Sequence, residues 1–185
     1  ENYDGDSQGD LCDIDDDQDG VIDQYDDCPM NETNWTSDGA SDNDGDGCHD
    51  LLEDADDDND GMLDVDDDCP SGISDWIVSA DTDHDWDGCK NSVEDNDNDN
   101  DGVINSFDDC PMGTTNWSND GLIDNDVDGC HDESEDFDDD NDGFPDNEDD
   151  CPTNAGGSYL GQLKGCADDD GDGWGDYSDA FPFDG

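Results

Sequence analysis

Residues 56–70 read DDDNDGMLDVDDDCP, and most of the chain repeats this phrase with variations. With Asp56 as position 1, Asp58 and Asp60 fill positions 3 and 5, Gly61 position 6, Asp64 position 9 and Asp67 position 12. Oxygen-bearing side chains in this frame can wrap a single hard cation. Calcium takes six to eight oxygens at about 2.3–2.6 Å, and glycine at position 6 permits the sharp turn between ligands. Oxygen-only sites of this kind suit calcium or magnesium rather than zinc.

The frame recurs with a period of 41 residues. Cys28, Cys69, Cys110 and Cys151, each followed by proline, stand 41 apart, as do Cys48, Cys89 and Cys130, each preceded by Asp-Gly. Trp35, Trp76 and Trp117 keep the same step. A fixed period of this length is the signature of a repeat array, in which each unit contacts mainly its neighbours.

Taken in order, the first loop is degenerate: Asn2, Asp4, Asp6, Asp10 and Asp13 fit, with Ser7 at position 6. The second, Asp15, Asp17, Asp19, Asp23 and Asp26, ends in Asp27-Cys28-Pro29. After linker 30–41 come Asp42, Asp44, Asp46, Asp50 and Glu53, where glutamate's longer arm suits bidentate closure. The loop at Asp56, Asp58, Asp60, Asp64 and Asp67 follows two residues later. Linker 71–82 leads to Asp83, Asp85, Asp87, Asn91 and Glu94, then to Asp97, Asp99, Asp101, Asn105 and Asp108. Linker 112–123 leads to Asp124, Asp126, Asp128, Asp132 and Glu135, then to Asp138, Asp140, Asp142, Asp146 and Asp149. The rhythm then breaks. Residues 153–166 contain no acid, and a last loop uses Asp168, Asp170, Asp172, Asp176 and Asp179, with Phe181 in the cysteine's place. The chain therefore divides into a tandem array, 1–152, and a variant end, 153–185. Asp27, Asp54, Asp68, Asp95, Asp109, Asp136 and Asp150 are candidate extra or bridging ligands.

Composition leaves little else to build with. There are 63 acids against two bases, a formal net charge of −61, and only 24 Leu, Ile, Val and Phe residues among 185. That fraction is below the roughly 20% at which a highly charged chain is expected to be disordered. Two like charges 5 Å apart repel by roughly 0.8 kcal/mol even in water. Either the chain is disordered or metal ions and cross-links replace the core. Helices are not expected, because aspartate, asparagine and glycine are poor helix formers and the loops leave no room for flanking helices. Apolar pairs at positions 7 and 8 (Val21-Ile22, Met62-Leu63, Val103-Ile104) are candidates for a short bridge or for packing on the linker tryptophans.

Nine regularly spaced cysteines, outside any zinc-type cluster, indicate disulfides and an oxidising compartment. Two sequential pairings fit the order, one beginning Cys28–Cys48 and leaving Cys12, the other beginning Cys12–Cys28 and leaving Cys166. No signal peptide or membrane span stands out, and a start at Glu1 reads as a mature chain or part of a longer one. Nucleic acid is excluded as a partner because phosphate contacts need lysine and arginine. No nucleophile–base pattern or phosphate-cradling loop stands out, so no enzyme is expected.

Loops ending in Asp-x-Cys-Pro, as at Asp67-Asp68-Cys69-Pro70, resemble thrombospondin type 3 repeats; Asn2 to Asp13, ending Gly9-Asp10-Leu11-Cys12-Asp13, resembles that family's other loop type. Asp179-Ala180-Phe181-Pro182 is similar to the aspartate-rich arrays of microbial surface proteins. The resemblance implies an extracellular chain with few regular elements, an elongated array wound around about nine or more Ca2+ ions and stapled by cystines. It favours the pairing Cys28–Cys48, Cys69–Cys89, Cys110–Cys130 and Cys151–Cys166, which leaves Cys12 over. The linkers depart from the family in carrying tryptophan, and Cys48, Cys89 and Cys130 sit at position 7 of the Glu-ended loops. The family's cell-surface receptors are therefore not carried over.

The function expected is a calcium-stiffened stalk or fibre segment of a cell surface. The competing readings are an adhesion module acting through its linkers or glycans, and an acidic calcium buffer or mineral nucleator. Calcium is the expected partner, with further copies of the chain, head to tail or through Cys12, as candidates. Asn31, Asn34 and Asn116 match the glycosylation acceptor pattern. Trp35, Trp76 and Trp117 are expected to form a small core over the cystines, and His49, His84 and His131 to be passengers in their loops.

Overall fold

The computed structural model describes residues 2–184. Turns and bends account for nearly all of the local structure. Among the described residues, regular structure amounts to one 3-10 turn, Asp146–Glu148, and an isolated parallel bridge between Leu160 and Trp174. Trp174 occupies position 7 of the last loop, so the bridge expected at that position forms only there. Two compact units divide the chain, Glu1–Asp95 and Asn96–Gly185, and the change of rhythm after Pro152 lies inside the second. No described helix is long and apolar enough to cross a membrane.

Side-chain-to-backbone bonds hold each loop, as expected where aspartate and asparagine dominate. The N–H at position 2 donates to the Oδ1 at position 9: Asp57 N to Asp64 at 2.9 Å, Asp16 N to Asp23 at 2.9 Å, Asn98 N to Asn105 at 3.0 Å. The N–H of position 9 donates to the carbonyl just before position 1, as in Asp64 N to Ala55 O at 3.0 Å. The N–H at position 7 donates to the Oδ1 at position 5, as in Met62 N to Asp60 at 2.7 Å. Gly61 at position 6 has φ +98°, the conformation expected of it. Position 4 is left-handed as well, with Asn59, Asn100 and Asn141 at φ 56–57° and Trp86 and Val127 at 66°.

Consecutive loops meet at joints. Four disulfides close them, Cys28–Cys48, Cys69–Cys89, Cys110–Cys130 and Cys151–Cys166, with Cα separations of 5.1 to 5.2 Å, and Cys12 is exposed and unpaired. At the first three, the residue after position 12 donates to the position 5 carbonyl of the next loop: Asp27 N to Asp46 O at 2.8 Å, Asp68 N to Asp87 O at 2.7 Å, Asp109 N to Asp128 O at 2.9 Å. The carboxylates of Asp26, Asp67 and Asp108 lie where a Cβ would stand on Gly47, Gly88 and Gly129, so only glycine admits them.

The linkers are tied down by the Glu-ended loops. Glu53 Oε2 accepts from Glu32 N at 2.8 Å, Glu94 Oε2 from Ile73 N at 2.9 Å and Glu135 Oε2 from Thr114 N at 2.8 Å. The linker tryptophans meet the residue at position 8 of those loops. Trp35 meets His49 at a tilt with ring centroids 4.8 Å apart, Trp117 meets His131 edge to face at 5.3 Å, and the Lys90 ammonium lies 5.3 Å above Trp76. His49 and His131 are therefore packing partners rather than passengers. The apolar residues buried below a tenth exposure are Trp76 and four half-cystines, Cys48, Cys89, Cys130 and Cys166. The conventional core is absent because carboxylates occupy its place.

Candidate metal centres

Asp17, Asp19, Asp58, Asp60, Asp83, Asp99, Asp101 and Asp124 are at most 2% exposed. A carboxylate so placed costs several kcal/mol unless it is paired. The Lys164–Glu148 ion pair, at 2.9 Å, is remote from these groups in sequence. In Asp17, Asp58, Asp83 and Asp124 both oxygens accept from backbone N–H groups, and in other loop acids one commonly does. The second is commonly left over: Asp19 Oδ2 and Asp60 Oδ2 at position 5, Asp67 Oδ2 and Asp108 Oδ2 at position 12, and Asp15 Oδ1 and Asp56 Oδ1 at position 1 are buried without a hydrogen-bond partner. Asp85 and Asp126, at position 3, have neither oxygen bonded.

These oxygens gather. In Asp15–Asp17–Asp19, Asp42–Asp44–Asp46 and Asp56–Asp58–Asp60, one oxygen per residue lies within 4.8 Å of the others, and Asp4, Asp6 and Asp13 do the same in the first loop. Burial is the largest cause pushing Asp58 up to about 7, with Asp60 and Asp67 adding like charge. Burial likewise raises Asp26 and Asp108 to about 7, and Asp67, Asp87 and Asp101 to about 6. Converging anionic oxygens, short of donors and raised by burial, match what a hard divalent ion requires. The residues present fit calcium.

The expected ligand sets divide by position. Positions 1, 3 and 5 converge. Position 9 gives its Oδ1 to the backbone of position 2, which explains why Asn91 and Asn105 serve there as well as aspartate. Glu53, Glu94 and Glu135 bond backbone N–H groups of linker and loop, while Asp54 Oδ2 and Asp136 Oδ2, one residue further on, are buried and unbonded. A further group, Asp50, Asp54 and Asp57, spans the step from one loop to the next. Asp57 is 8% exposed and stands at position 2, which the alternating frame treats as a spacer. The available signal was that Asp16, Asp57, Asp139 and Asp169 all put a second acid directly after position 1. The left-handed turn at position 4 was signalled by its asparagines and glycines.

The family model of the thrombospondin type 3 repeat matches residues 1–34, covering the first two loops and the start of the first linker. No curated protein matches the chain. Residues 1–34 carry a thrombospondin type 3 repeat, an extracellular calcium-binding structural module, and the loops that follow repeat its aspartate frame through the chain.

Proposed function

We propose that the chain is a structural segment whose folded form is made by calcium, serving as a stiff spacer in a stalk or fibre outside the cell. The buried carboxylate oxygens without hydrogen-bond partners carry this reading. Acids at positions 1, 3, 5 and 12 of the loops, with Asp54 and Asp136 in the Glu-ended ones, hold the ions. When bound, calcium supplies the positive charge that the chain almost wholly lacks. Each ion then fixes several turns at once, and the cystines fix the joints between loops. Asn31, Asn34 and Asn116 are exposed on linkers, where glycans would stand clear of the loops.

Calcium titration of the metal-free, disulfide-intact chain tests the proposal. Circular dichroism and protease resistance should change together with calcium and revert with chelator. A chain equally resistant in excess EDTA would show that the ions are not structural. Filaments in electron micrographs that vanish on chelation would place the segment in a fibre, whereas a monodisperse monomer would place it in a spacer.

A further inference from the structure

Residues 153–166, TNAGGSYLGQLKGC, interrupt the loop rhythm and contain no acid, yet the structure builds a fourth joint from them. Asp150 N donates to Lys164 O at 2.9 Å, as Asp27, Asp68 and Asp109 donate to the position 5 carbonyls of Asp46, Asp87 and Asp128. The Asp149 carboxylate lies where a Cβ on Gly165 would stand, as Asp26 does at Gly47. Cys151–Cys166 has the same Cα separation, 5.2 Å, as its counterparts at Cys69–Cys89 and Cys110–Cys130. Lys164-Gly165-Cys166 thus takes the place of Asp-Gly-Cys at positions 5, 6 and 7.

The acceptors differ in kind. In the other joints the glycine and cysteine N–H groups go to carboxylates: Gly88 N to Asp83 Oδ2 at 3.1 Å and Cys89 N to Asp87 Oδ1 at 2.8 Å, with Gly129 and Cys130 doing the same to Asp124 and Asp128. At the fourth joint a neutral residue receives both. Gly165 N donates to Ser158 O at 2.9 Å and Cys166 N to Ser158 Oγ at 3.0 Å. The Ser158 hydroxyl donates to Leu163 O, and the residue is fully buried. Charge is inverted as well. Asp87 feels the like charge of Asp68, and Asp128 that of Asp109. Asp150 instead accepts from Lys164 N at 3.0 Å, while Lys164 Nζ pairs with Glu148 at 2.9 Å and lies 4.7 Å from the Phe144 ring.

We propose that the 158–166 side of the Cys151–Cys166 joint is an ion-independent counterpart of the matching side of the three calcium-dependent joints, with Ser158 and Lys164 standing in for its acids. The Gly165 and Cys166 N–H groups are satisfied by Ser158, so nothing on that side calls for a cation, whereas Asp149 Oδ2, from the preceding loop, is buried without a partner. This rests on the calcium reading of the other joints. The segment is then a permanent clasp from which the neighbouring loops can reorder when calcium returns.

Amide hydrogen exchange of the full, oxidised chain, resolved to single residues in calcium and in EDTA, separates the two ideas. Chelation should speed exchange at Gly47, Cys48, Gly88, Cys89, Gly129 and Cys130 by about tenfold or more, while Gly165 and Cys166 change little. Ser158→Ala should release Cys166, whose N–H loses its hydroxyl acceptor, in EDTA, and Lys164→Asp should make Gly165 and Cys166 chelator-sensitive. Equal loss at all four joints, or no effect of either variant, would overturn the clasp. Protection retained everywhere in EDTA would overturn the calcium reading itself.

Discussion

Several carboxylates in these loops divide two tasks between their oxygens. Asp60 shows the division, with Oδ1 taking the Met62 N–H at 2.7 Å and Oδ2 buried without a partner. Asp60→Asn keeps the first task and removes the second, so calcium affinity at that loop should fall about tenfold or more, near 1.4 kcal/mol. Asp64→Asn should cost far less, because position 9 acts as the acceptor for Asp57 N and asparagine already fills it at Asn91 and Asn105. Calorimetric titration of both variants checks the contrast. Val127, a β-branched residue at φ 66°, occupies a turn that asparagine fills elsewhere. Val127→Asn should stabilise the calcium-loaded chain by about 1 kcal/mol, read from chemical denaturation.

The pH dependence also belongs to single residues. Burial holds Asp26, Asp58 and Asp108 near 7 in the folded chain, above the ordinary aspartate value of about 3.9. A raised folded-state value means that the metal-free fold carries its full penalty above about pH 7 and loses it as pH falls toward about 4. Acidification should therefore compact the chain in EDTA. With calcium present the sign reverses for binding, since protons compete for the same oxygens. The midpoint of a calcium titration should move to higher concentration between about pH 8 and about pH 5, and a midpoint independent of pH would contradict this.

At the scale of the element, the joint carries the structure. Asp67 seats against Gly88, whose φ is +88°. Gly88→Ala would both strain that turn and push Asp67 away. It should destabilise the first unit by more than the 1–2 kcal/mol that a left-handed alanine costs, as measured by denaturation in saturating calcium. Replacing Cys69 and Cys89 by serine opens a cross-link of sequence separation 20 and should cost roughly 3 kcal/mol. Much of this was legible in the sequence. The loop frame, the period and the scarcity of helix and strand follow from where aspartate, glycine and cysteine stand. The joint at Lys164-Gly165-Cys166 was hidden, because a pattern of acids cannot reveal a place where a buried serine does the acids' work. Nor could spacing alone foretell that Glu53, Glu94 and Glu135 would clamp linkers, since a glutamate at position 12 serves a loop equally well as a ligand.

The whole molecule is dominated by its charge. A formal −61 on 185 residues, with few apolar side chains to bury, leaves no hydrophobic term large enough to offset the repulsion among the buried acids. Cations must therefore act as the interior of each unit, and their removal should undo more than one loop at a time. Small-angle X-ray scattering of the oxidised chain, in calcium and again in excess EDTA, tests this most directly. Chelation should increase the radius of gyration and convert the profile to that of an expanded chain cross-linked at four places, and added calcium should reverse it. Superimposable profiles in calcium and EDTA would contradict it.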